Sequence, residues 1–86
     1  MERFGKKLRA LRKHHHITLK WLAVQLGYTS HSYISEIEAG YKIPTAIFVL
    51  NAAKLFNVTT DELLKDELEV NLEKSTINES HSYPIR

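Results

Sequence analysis

The 86-residue sequence contains no cysteine, three glycines, two prolines and one tryptophan. Without cysteine the chain can form neither a disulfide framework nor a Cys-based zinc site, which is typical of a reducing compartment. No apolar run approaches the roughly 20 residues of a membrane-spanning helix, and the N-terminus is charged rather than uniformly apolar. We therefore expect a cytoplasmic protein that is neither exported nor anchored in a membrane.

Sequence patterns of enzyme active sites are also missing. There is no Gly-rich phosphate loop and no nucleophile elbow, and Glu36 and Glu38, two residues apart, do not share a helix face as a general acid and base would. The consecutive histidines 14–16 lack the i, i+4 spacing that brings two imidazoles to one metal ion. We expect no enzymatic activity, no cofactor and no metal site. Histidines at a helix C-terminus instead face the negative end of the helix dipole.

Helical periodicity recurs along the chain, whereas the alternation typical of strands and any internal repeat are missing. The apolar spacing predicts five helices, at about residues 2–14, 19–26, 31–39, 45–56 and from 59 onward. The last of these begins with a capping box between Thr59 and Glu62, flanked by a hydrophobic staple of Val58 and Leu63. The sequence therefore predicts an all-α fold, a compact bundle of five helices.

The chain beyond the fifth helix is predicted to be a tail. Leu64, Leu68 and Leu72 recur at a spacing of four, which predicts that the fifth helix continues through them. The last twelve residues, from Ser75, have almost no core-forming content and predict a flexible end. We therefore expect a domain at residues 1–65 and an acidic tail at 66–86, partly helical and then flexible. One core of this size is close to the lower limit of stability, so a partner subunit would help.

The segment from Leu19 to Gly40 predicts two short amphipathic helices joined by a tight turn. Gly27 ends the first helix and Gly40 the second, while Ser30 is placed to cap the second. Tyr33, Ile34 and Ile37 form the apolar side of this second helix. Its other side carries polar residues that can bond to the edges of base pairs, namely His31, Ser32, Ser35 and Glu36. This arrangement is typical of a helix-turn-helix, which places one helix in the major groove of DNA.

From about Phe4 to Leu64 the chain resembles the lambda-repressor-like family, also called the Cro or XRE type. The resemblance lies in the order and spacing of LRALRK, ITLKWLAVQLG, ISEIEAG, IP and FVLNAAKLFNVTTDELL. The chain departs from the family in two places. One extra residue lies between Gly27 and Gly40, and Leu19 stands where the family often has a glutamine that contacts DNA.

The resemblance also implies roles for residues outside the two central helices. Arg12 and Glu38 would form a partly buried ion pair that orients the recognition helix. The dimer contact would lie near Phe56, Asn57, Val58 and the fifth helix. His16 occupies a position where the family usually has glycine, so a left-handed conformation there would be strained.

Charge is unevenly distributed along the chain, although the net charge is only +2. Residues 1–20 carry seven basic side chains and one acidic one, and residues 61–79 carry seven acidic side chains and two basic ones. A basic half suits the DNA phosphates, whereas an acidic tail would be repelled and should lie on the far side.

These observations predict a sequence-specific transcriptional regulator, a repressor that binds a near-palindromic operator in double-stranded DNA as a homodimer, associated with the nucleoid. Bases would be read by the four polar residues named above, and phosphates would be bound by Lys20, Ser30, Tyr41, Lys42 and either Arg9 or Lys13. The alternative is an antitoxin or anti-regulator whose C-terminal tail binds a partner protein. Trp21 lies off the apolar stripe of its helix; it packs on Tyr28, binds a partner or lies beside the DNA backbone.

Overall fold

The computed structural model describes residues 1–78, which form five α-helices and, within that range, no strand. The helices are α1 (Phe4–His14), α2 (Leu19–Leu26), α3 (Ser32–Ala39), α4 (Ala46–Phe56) and α5 (Thr60–Leu64). The predicted all-α bundle of five helices is confirmed, and each helix begins within two residues of its predicted start. None of the helices in the described range is long and apolar enough to cross a membrane.

The first four helices end in the same way. A residue with positive φ lies directly after α2, α3 and α4 and two positions after α1. In each case the next backbone N–H donates to a carbonyl five residues back: Ile17 to Arg12, Tyr28 to Ala23, Tyr41 to Glu36 and Val58 to Ala53. This is the Schellman motif, which satisfies carbonyls that the helix leaves unpaired. The left-handed residues are His16, Gly27, Gly40 and Asn57. His16, at the position where the family usually has glycine, adopts this left-handed conformation with φ at 58°.

The starts of α2, α4 and α5 are capped by threonines. Thr18, Thr45 and Thr59 each accept a hydrogen bond from a backbone N–H of the first turn. At α5 the Glu62 carboxylate also accepts from the Thr59 N–H at 2.8 Å, so the predicted capping box is confirmed. Threonine oxygens at these positions satisfy donors that have no partner within the helix.

The core lies between the helices and contains Ile34 and Ile37 of the predicted apolar side of α3, while Tyr33 is half-buried at its edge. Phe48 of α4 forms its aromatic part, with the rings of Tyr28 and Tyr33 each 5.7 Å from it. Burial raises the pKa of the Tyr28 hydroxyl. The buried apolar residues are Phe4, Leu8, Leu11, Leu22, Ala23, Leu26, Ile34, Ile37, Phe48, Val49, Ala52, Ala53, Leu55, Phe56 and Leu63.

Helices α1 and α3 approach each other closely at Gly5. A Cβ atom added there would lie 2.7 Å from the backbone oxygen of Glu38 and closer still to that of Ile37. Both atoms belong to the backbone of the last turn of α3, so they cannot rotate away as a side chain would. Gly5 therefore allows α1 to pack directly on the end of α3.

Gly5→Ala is expected to lower the free energy of unfolding by about 2 kcal/mol, because overpacking forces the two backbones apart. In a helix without such a close contact, the same change would raise the free energy of unfolding by roughly 0.5–1 kcal/mol. The sign of the measured change therefore shows whether the close contact exists. Urea denaturation measures the effect. Gly40→Ala is the control, because there a Cβ has open space and the cost arises from φ at +87°. A stabilised Gly5→Ala protein would contradict the close packing.

The residues after α5 fold back onto the helices, and we call the segment 65–78 the C-terminal strap. The helix ends at Leu64 because Lys65 is extended, with φ −87° and ψ 117°. After Leu64 the chain turns toward α1, because its carbonyl groups bind the buried ammonium of Lys7. It donates to the carbonyls of Glu62, Lys65 and Leu68 at 2.6 to 2.7 Å. The prediction that α5 continues through Leu68 and Leu72 is therefore wrong, since the helix ends at Leu64 and the carbonyls of Glu62, Lys65 and Leu68 all bind Lys7; the Lys65 carbonyl also accepts from the Leu68 N–H in a turn, at 3.1 Å.

The strap next binds the residues that directly precede α1. Asp66 accepts hydrogen bonds from the N-terminal ammonium and from the backbone N–H groups of Glu2 and Arg3, at 3.0 to 3.2 Å. Glu69 forms a bidentate pair with the Arg3 guanidinium, at 2.7 and 2.9 Å. Acidic residues of the strap thus contact basic groups of α1 within the chain.

The backbone donors of Glu2 and Arg3 hold the pKa of the Asp66 carboxyl at about 2, below its ordinary 3.8. A depressed carboxyl pKa stabilises the fold at pH values above the ordinary pKa, and this stabilisation disappears as pH falls from about 4 to about 2. We expect Asp66→Asn to lower the melting temperature at pH 7, with the difference from the wild type shrinking below pH 4 and vanishing below pH 2. Glu67→Gln, at an exposed neighbouring position, is the control. A difference that persists unchanged to pH 2 would contradict the contact.

The end of the strap packs against the C-terminus of α4. Ser75 is buried beside His15, with 2.5 Å between the hydroxyl and the ring nitrogen, and His15 stacks on Phe56. Burial, and to a lesser extent His14 and His16, lowers the His15 pKa. The N–H groups of residues 76 and 78 donate to carbonyls of the last turn of α4.

The prediction of a flexible end beginning at Ser75 is wrong for residues 75–78, which the contacts with α4 position. Residues 79–86, the rest of that predicted end, lie outside the described residues. The division of the chain at residue 65 stays a prediction, and the strap lies directly on the helices of the first domain.

Candidate DNA-binding surface

Helix α3 packs on both α1 and α2 through one side and presents the other to solvent. Ile34 and Ile37 are almost fully buried, and together they fix the rotation of the helix about its axis. Since successive residues turn by about 100°, the outward side then carries Ser32, Ser35 and Ala39, all exposed. An exposed helix side of small and polar residues is the type of surface that enters a major groove.

The turn from Gly27 to His31 leads into α3. His31 has helical dihedral angles and accepts a hydrogen bond from the Ser35 N–H. The Ser30 hydroxyl accepts from the Ser32 N–H at 3.1 Å, which is the interaction expected of a capping serine. The N-cap residue of α3 is nevertheless His31, one position later. The turn therefore shifts the cap and leaves α3 well packed.

A groove beside this turn brings together three of the predicted DNA-binding residues. Lys20, Ser30 and His31 line it, with Val24 and Tyr28 also on its walls. All three polar side chains are exposed. A cationic side chain, a hydroxyl and an imidazole in one groove at the start of α3 form a surface suited to a phosphate group.

The loop after α3 positions two further predicted phosphate-binding residues. The N–H groups of Tyr41 and Lys42 both donate to the Glu36 carbonyl, at 2.8 and 3.3 Å. The Tyr41 side chain is 83% exposed. The Lys42 ammonium lies 3.8 Å from the Glu36 carboxylate, with both side chains about half exposed. Sequence reasoning missed this pair, because the left-handed turn at Gly40, rather than helical spacing, brings the two side chains together.

Arg12 and Glu38 form a bidentate ion pair beneath the surface. The guanidinium donates to both carboxylate oxygens at 2.7 and 3.0 Å, and it also donates to the Ile17 carbonyl at 3.1 Å. The side chains are only 13% and 6% exposed. The guanidinium therefore links the end of α1 to the segment leading into α2 and to the last turn of α3.

The basic residues of the N-terminal region divide into two groups. Arg3, Lys7 and Arg12 are bonded within the chain, to Glu69, to three carbonyls and to Glu38 respectively. The others are exposed: Lys6, Arg9, Lys13 and Lys20. The charge available for phosphates is thus smaller than the sequence indicated.

The predicted dimer residues are not equally accessible. Phe56 has no exposed surface, and Val58 is half-buried against the core. Asn57 is exposed, and its amide donates to the Thr76 hydroxyl of the strap at 3.2 Å. The dimer contact stays a prediction, and the Phe56 side chain, which is fully buried in the core, is not accessible to it.

The structure shows the surroundings of Trp21, for which the sequence left three placements open. Tyr28 packs with Tyr33 and Phe48. Trp21 lies half-buried in a different groove, lined by His15, His16, Ile17, Thr18 and Ile77. Within residues 1–78 no group of histidine and acidic side chains could hold a metal ion.

Comparison with known proteins identifies this architecture. Residues 8–63 match the model of a helix-turn-helix family. The chain is 38% identical over 66 residues to the uncharacterized HTH-type transcriptional regulator YazB of Bacillus subtilis, covering 77% of this chain and 94% of that protein. The crystal structure of the restriction-modification controller protein C.AhdI from Aeromonas hydrophila is also similar, with a TM-score of 0.66 and 27% identity over 73% of this chain and 94% of the other. The chain therefore belongs to the XRE-type helix-turn-helix family of DNA-binding transcriptional regulators.

Proposed function

We propose that the protein is a repressor that binds a near-palindromic operator as a homodimer, with one α3 in each of two major grooves. The observation that carries this proposal is the outward side of α3, where Ser32 and Ser35 are exposed while Ile34 and Ile37 anchor the helix in the core. The similarity to a protein named as a restriction-modification controller supports a regulatory role.

Base reading falls to His31, Ser32, Ser35 and Glu36, at the start and along the outward side of α3. The serines can donate to or accept from a base edge, and the Glu36 carboxylate can accept from the amino group of cytosine. In the free protein this carboxylate is paired with Lys42. Binding would exchange that pair for two new ones, Glu36 with a base and Lys42 with a phosphate.

Phosphate binding falls to residues on both sides of α3. Lys20 and Ser30 lie at its start, and Tyr41 and Lys42 lie just beyond its end. Arg9 and Lys13, both exposed on α1, add positive charge. Contacts at both ends of a helix set its position along the groove, whereas the bases set the sequence preference.

The size of the domain suits adjacent half-sites. Its principal extents are 32 × 28 × 22 Å. Half-sites one helical turn apart are separated by about 34 Å. Two copies side by side could therefore place their recognition helices in successive major grooves without a connecting domain.

The alternative function, an antitoxin or anti-regulator that binds a partner protein through its acidic tail, has less support. Asp66 and Glu69 in the described part of the tail are bonded to the N-terminal residues of the same chain. These carboxylates would have to be released before they could bind a basic partner.

A genomic-fragment selection with the purified protein tests the proposal, followed by titrations of the selected site at several salt concentrations. Each phosphate neutralised is expected to contribute about −0.9 to the slope of log K against log salt. A flat salt response would contradict DNA binding through this surface. A selected site without two-fold symmetry would contradict the homodimer, and transcription from a reporter fused to the site would distinguish repression from activation.

Glu36→Gln is expected to change the preferred base at one position of the site, with about 1 to 3 kcal/mol of discrimination. Lys42→Ala is expected to weaken binding to all sequences alike, because its contact is to a phosphate. Selection from randomised sites with each variant measures both effects. Lys74→Ala, an exposed lysine of the strap, is the control for loss of charge alone. If Glu36→Gln retained the wild-type preference at every position while Lys42→Ala altered it, the assignment of the two roles would be wrong.

A further inference from the structure

The two ends of α3 are held by different parts of the molecule. In its last turn, Glu38 pairs with Arg12 of α1, and the α1 backbone packs directly on the same turn at Gly5. Ser32 begins the helix six residues before Glu38, about 9 Å away along the helix axis. The start of α3 therefore depends on other contacts for its position.

Three aromatic rings pack together at the start of α3. The Tyr33 ring, on the second residue of the helix, lies 4.9 Å from the Tyr28 ring of the preceding turn, with 34° between their planes. Both rings also lie 5.7 Å from the ring of Phe48 in α4. Tilted and edge-to-face rings at such distances attract each other beyond the effect of burial alone. We call Tyr28, Tyr33 and Phe48 the aromatic cluster.

Tyr28 joins the turn before α3 to this cluster. Of the turn residues 28–31, Tyr28 packs its side chain against the core, whereas the other three are exposed. Its backbone N–H donates to the Ala23 carbonyl at 2.8 Å, which fixes the residue to the end of α2. Tyr28 thus connects α2 through its backbone with α3 and α4 through its ring.

The same residue forms part of the groove at the start of α3. Tyr28 lines this groove together with Lys20, Ser30 and His31, which are assigned to DNA in the proposed function. Because Tyr28 lies two residues before Ser30 and packs on the first turn of α3 through Tyr33, a shift of Tyr28 moves the groove and the first turn together. The position of Tyr28 therefore determines where these polar side chains lie.

We propose that Tyr28 is a positioning residue for sequence reading, which holds the first turn of α3 through the aromatic cluster. The inference rests on the proposed function for the roles of His31 and Ser32 at the base edges. Without the Tyr28 ring the first turn can tilt, while the last turn stays fixed by its contacts with α1. Hydrogen bonds form only within about 2.7–3.2 Å, so a displacement of about 1 Å breaks a bond to a base.

Hydrogen exchange of the free protein tests the positioning without DNA. In Tyr28→Ala, exchange of the Ser35 N–H, which donates to the His31 carbonyl at the start of α3, is expected to accelerate at least about 10-fold through local opening. Exchange of the Tyr41 N–H, which donates to the Glu36 carbonyl at the other end, is expected to change less than about 3-fold. Unchanged exchange at Ser35, or equal acceleration of the two amides, would overturn the proposal.

Further variants separate the role of the ring from general loss of stability. Tyr28→Phe keeps the ring and is expected to show wild-type exchange at Ser35. Leu63→Val shortens a buried side chain of α5 and is expected to lower the melting temperature without accelerating Ser35 relative to Tyr41. Thermal melts establish that each variant is folded. Tyr28→Leu, which fills much of the same space without an aromatic ring, takes the place of Tyr28→Ala if that variant does not fold.

Selection from randomised sites measures the effect on sequence reading. A mismatched base pair typically lowers affinity about 5- to 150-fold. In Tyr28→Ala this discrimination is expected to fall below about 3-fold at positions read by the first turn and to be kept at the position that Glu36→Gln alters. Tyr28→Phe and Leu63→Val are expected to keep the wild-type discrimination at every position. No loss in Tyr28→Ala, or an equal loss at all positions, would overturn the role in reading.

The two measurements separate this inference from the proposed function. If the wild type bound no DNA while Tyr28→Ala released only the start of α3, the proposed function would fail and the contact that holds α3 would stand. If the wild type selected a symmetric site while both amides of Tyr28→Ala exchanged alike, the positioning role would fail and the proposed function would stand.

Discussion

Arg12→Ala is expected to lower the free energy of unfolding by about 3 to 4 kcal/mol. The reason is the location of its partner, since the Glu38 side chain is only 6% exposed and would keep a buried negative charge without a bidentate donor. Breaking a buried ion pair by removing one partner typically costs about 3–5 kcal/mol, against less than about 1 for an exposed pair. Chemical denaturation of the variant measures the loss.

A double-mutant cycle assigns that loss to the pair. Glu38→Ala alone leaves Arg12 with one partner, the Ile17 carbonyl, and so should cost less than Arg12→Ala. The double variant should be more stable than the sum of the two single effects predicts, because it leaves no unpaired carboxylate. Additive effects would mean that the two side chains do not interact. Arg9→Ala, an exposed arginine on the same helix, is the control for loss of side-chain packing.

Lys7→Met is expected to lower the free energy of unfolding by about 3 kcal/mol. The Lys7 ammonium is the donor to the Glu62, Lys65 and Leu68 carbonyls, and methionine keeps the apolar part of the side chain but donates nothing. Hydrogen bonds to a charged group contribute about 1.5–3 kcal/mol each, reduced here by the cost of burying the ammonium.

Lys6→Met is the matched control, since Lys6 is exposed on the same helix and its replacement should change stability by less than about 0.5 kcal/mol. Hydrogen exchange of backbone amides in the strap gives a second measurement. Faster exchange there in Lys7→Met than in Lys6→Met is the expected result. Equal stabilities of the two variants would show that Lys7 does not secure the strap.

The sequence predicted the helices well because their signals are local. Apolar residues at helical spacing, glycines at Gly27 and Gly40 and the capping box at Thr59 each depend on neighbours within a few positions. The outward side of α3 could also be predicted, because burial of Ile34 and Ile37 determines which other residues of the helix face solvent.

The strap could not be predicted in the same way. Its position depends on Lys7, Arg3 and His15, which lie about 60 residues earlier in the chain, and no local pattern connects them with Asp66 or Ser75. The spacing of four between Leu64, Leu68 and Leu72 was misleading. It predicted a longer α5, whereas the carbonyls of this segment bind the buried Lys7 ammonium and the helix ends. The Glu36 pair with Lys42 was missed for a related reason, since it depends on the direction of the chain after Gly40.

The strap has a consequence for the order in which the protein folds during synthesis. Residues at the start of α1 are synthesised more than 60 residues before their partners Asp66 and Glu69. Contacts of such sequence separation form late, after the intervening chain has been made. Until the strap has been translated, the start of α1 therefore lacks its contacts with Asp66 and Glu69, and the Lys7 ammonium remains hydrated. The last described segment of the chain thereby completes the first helix.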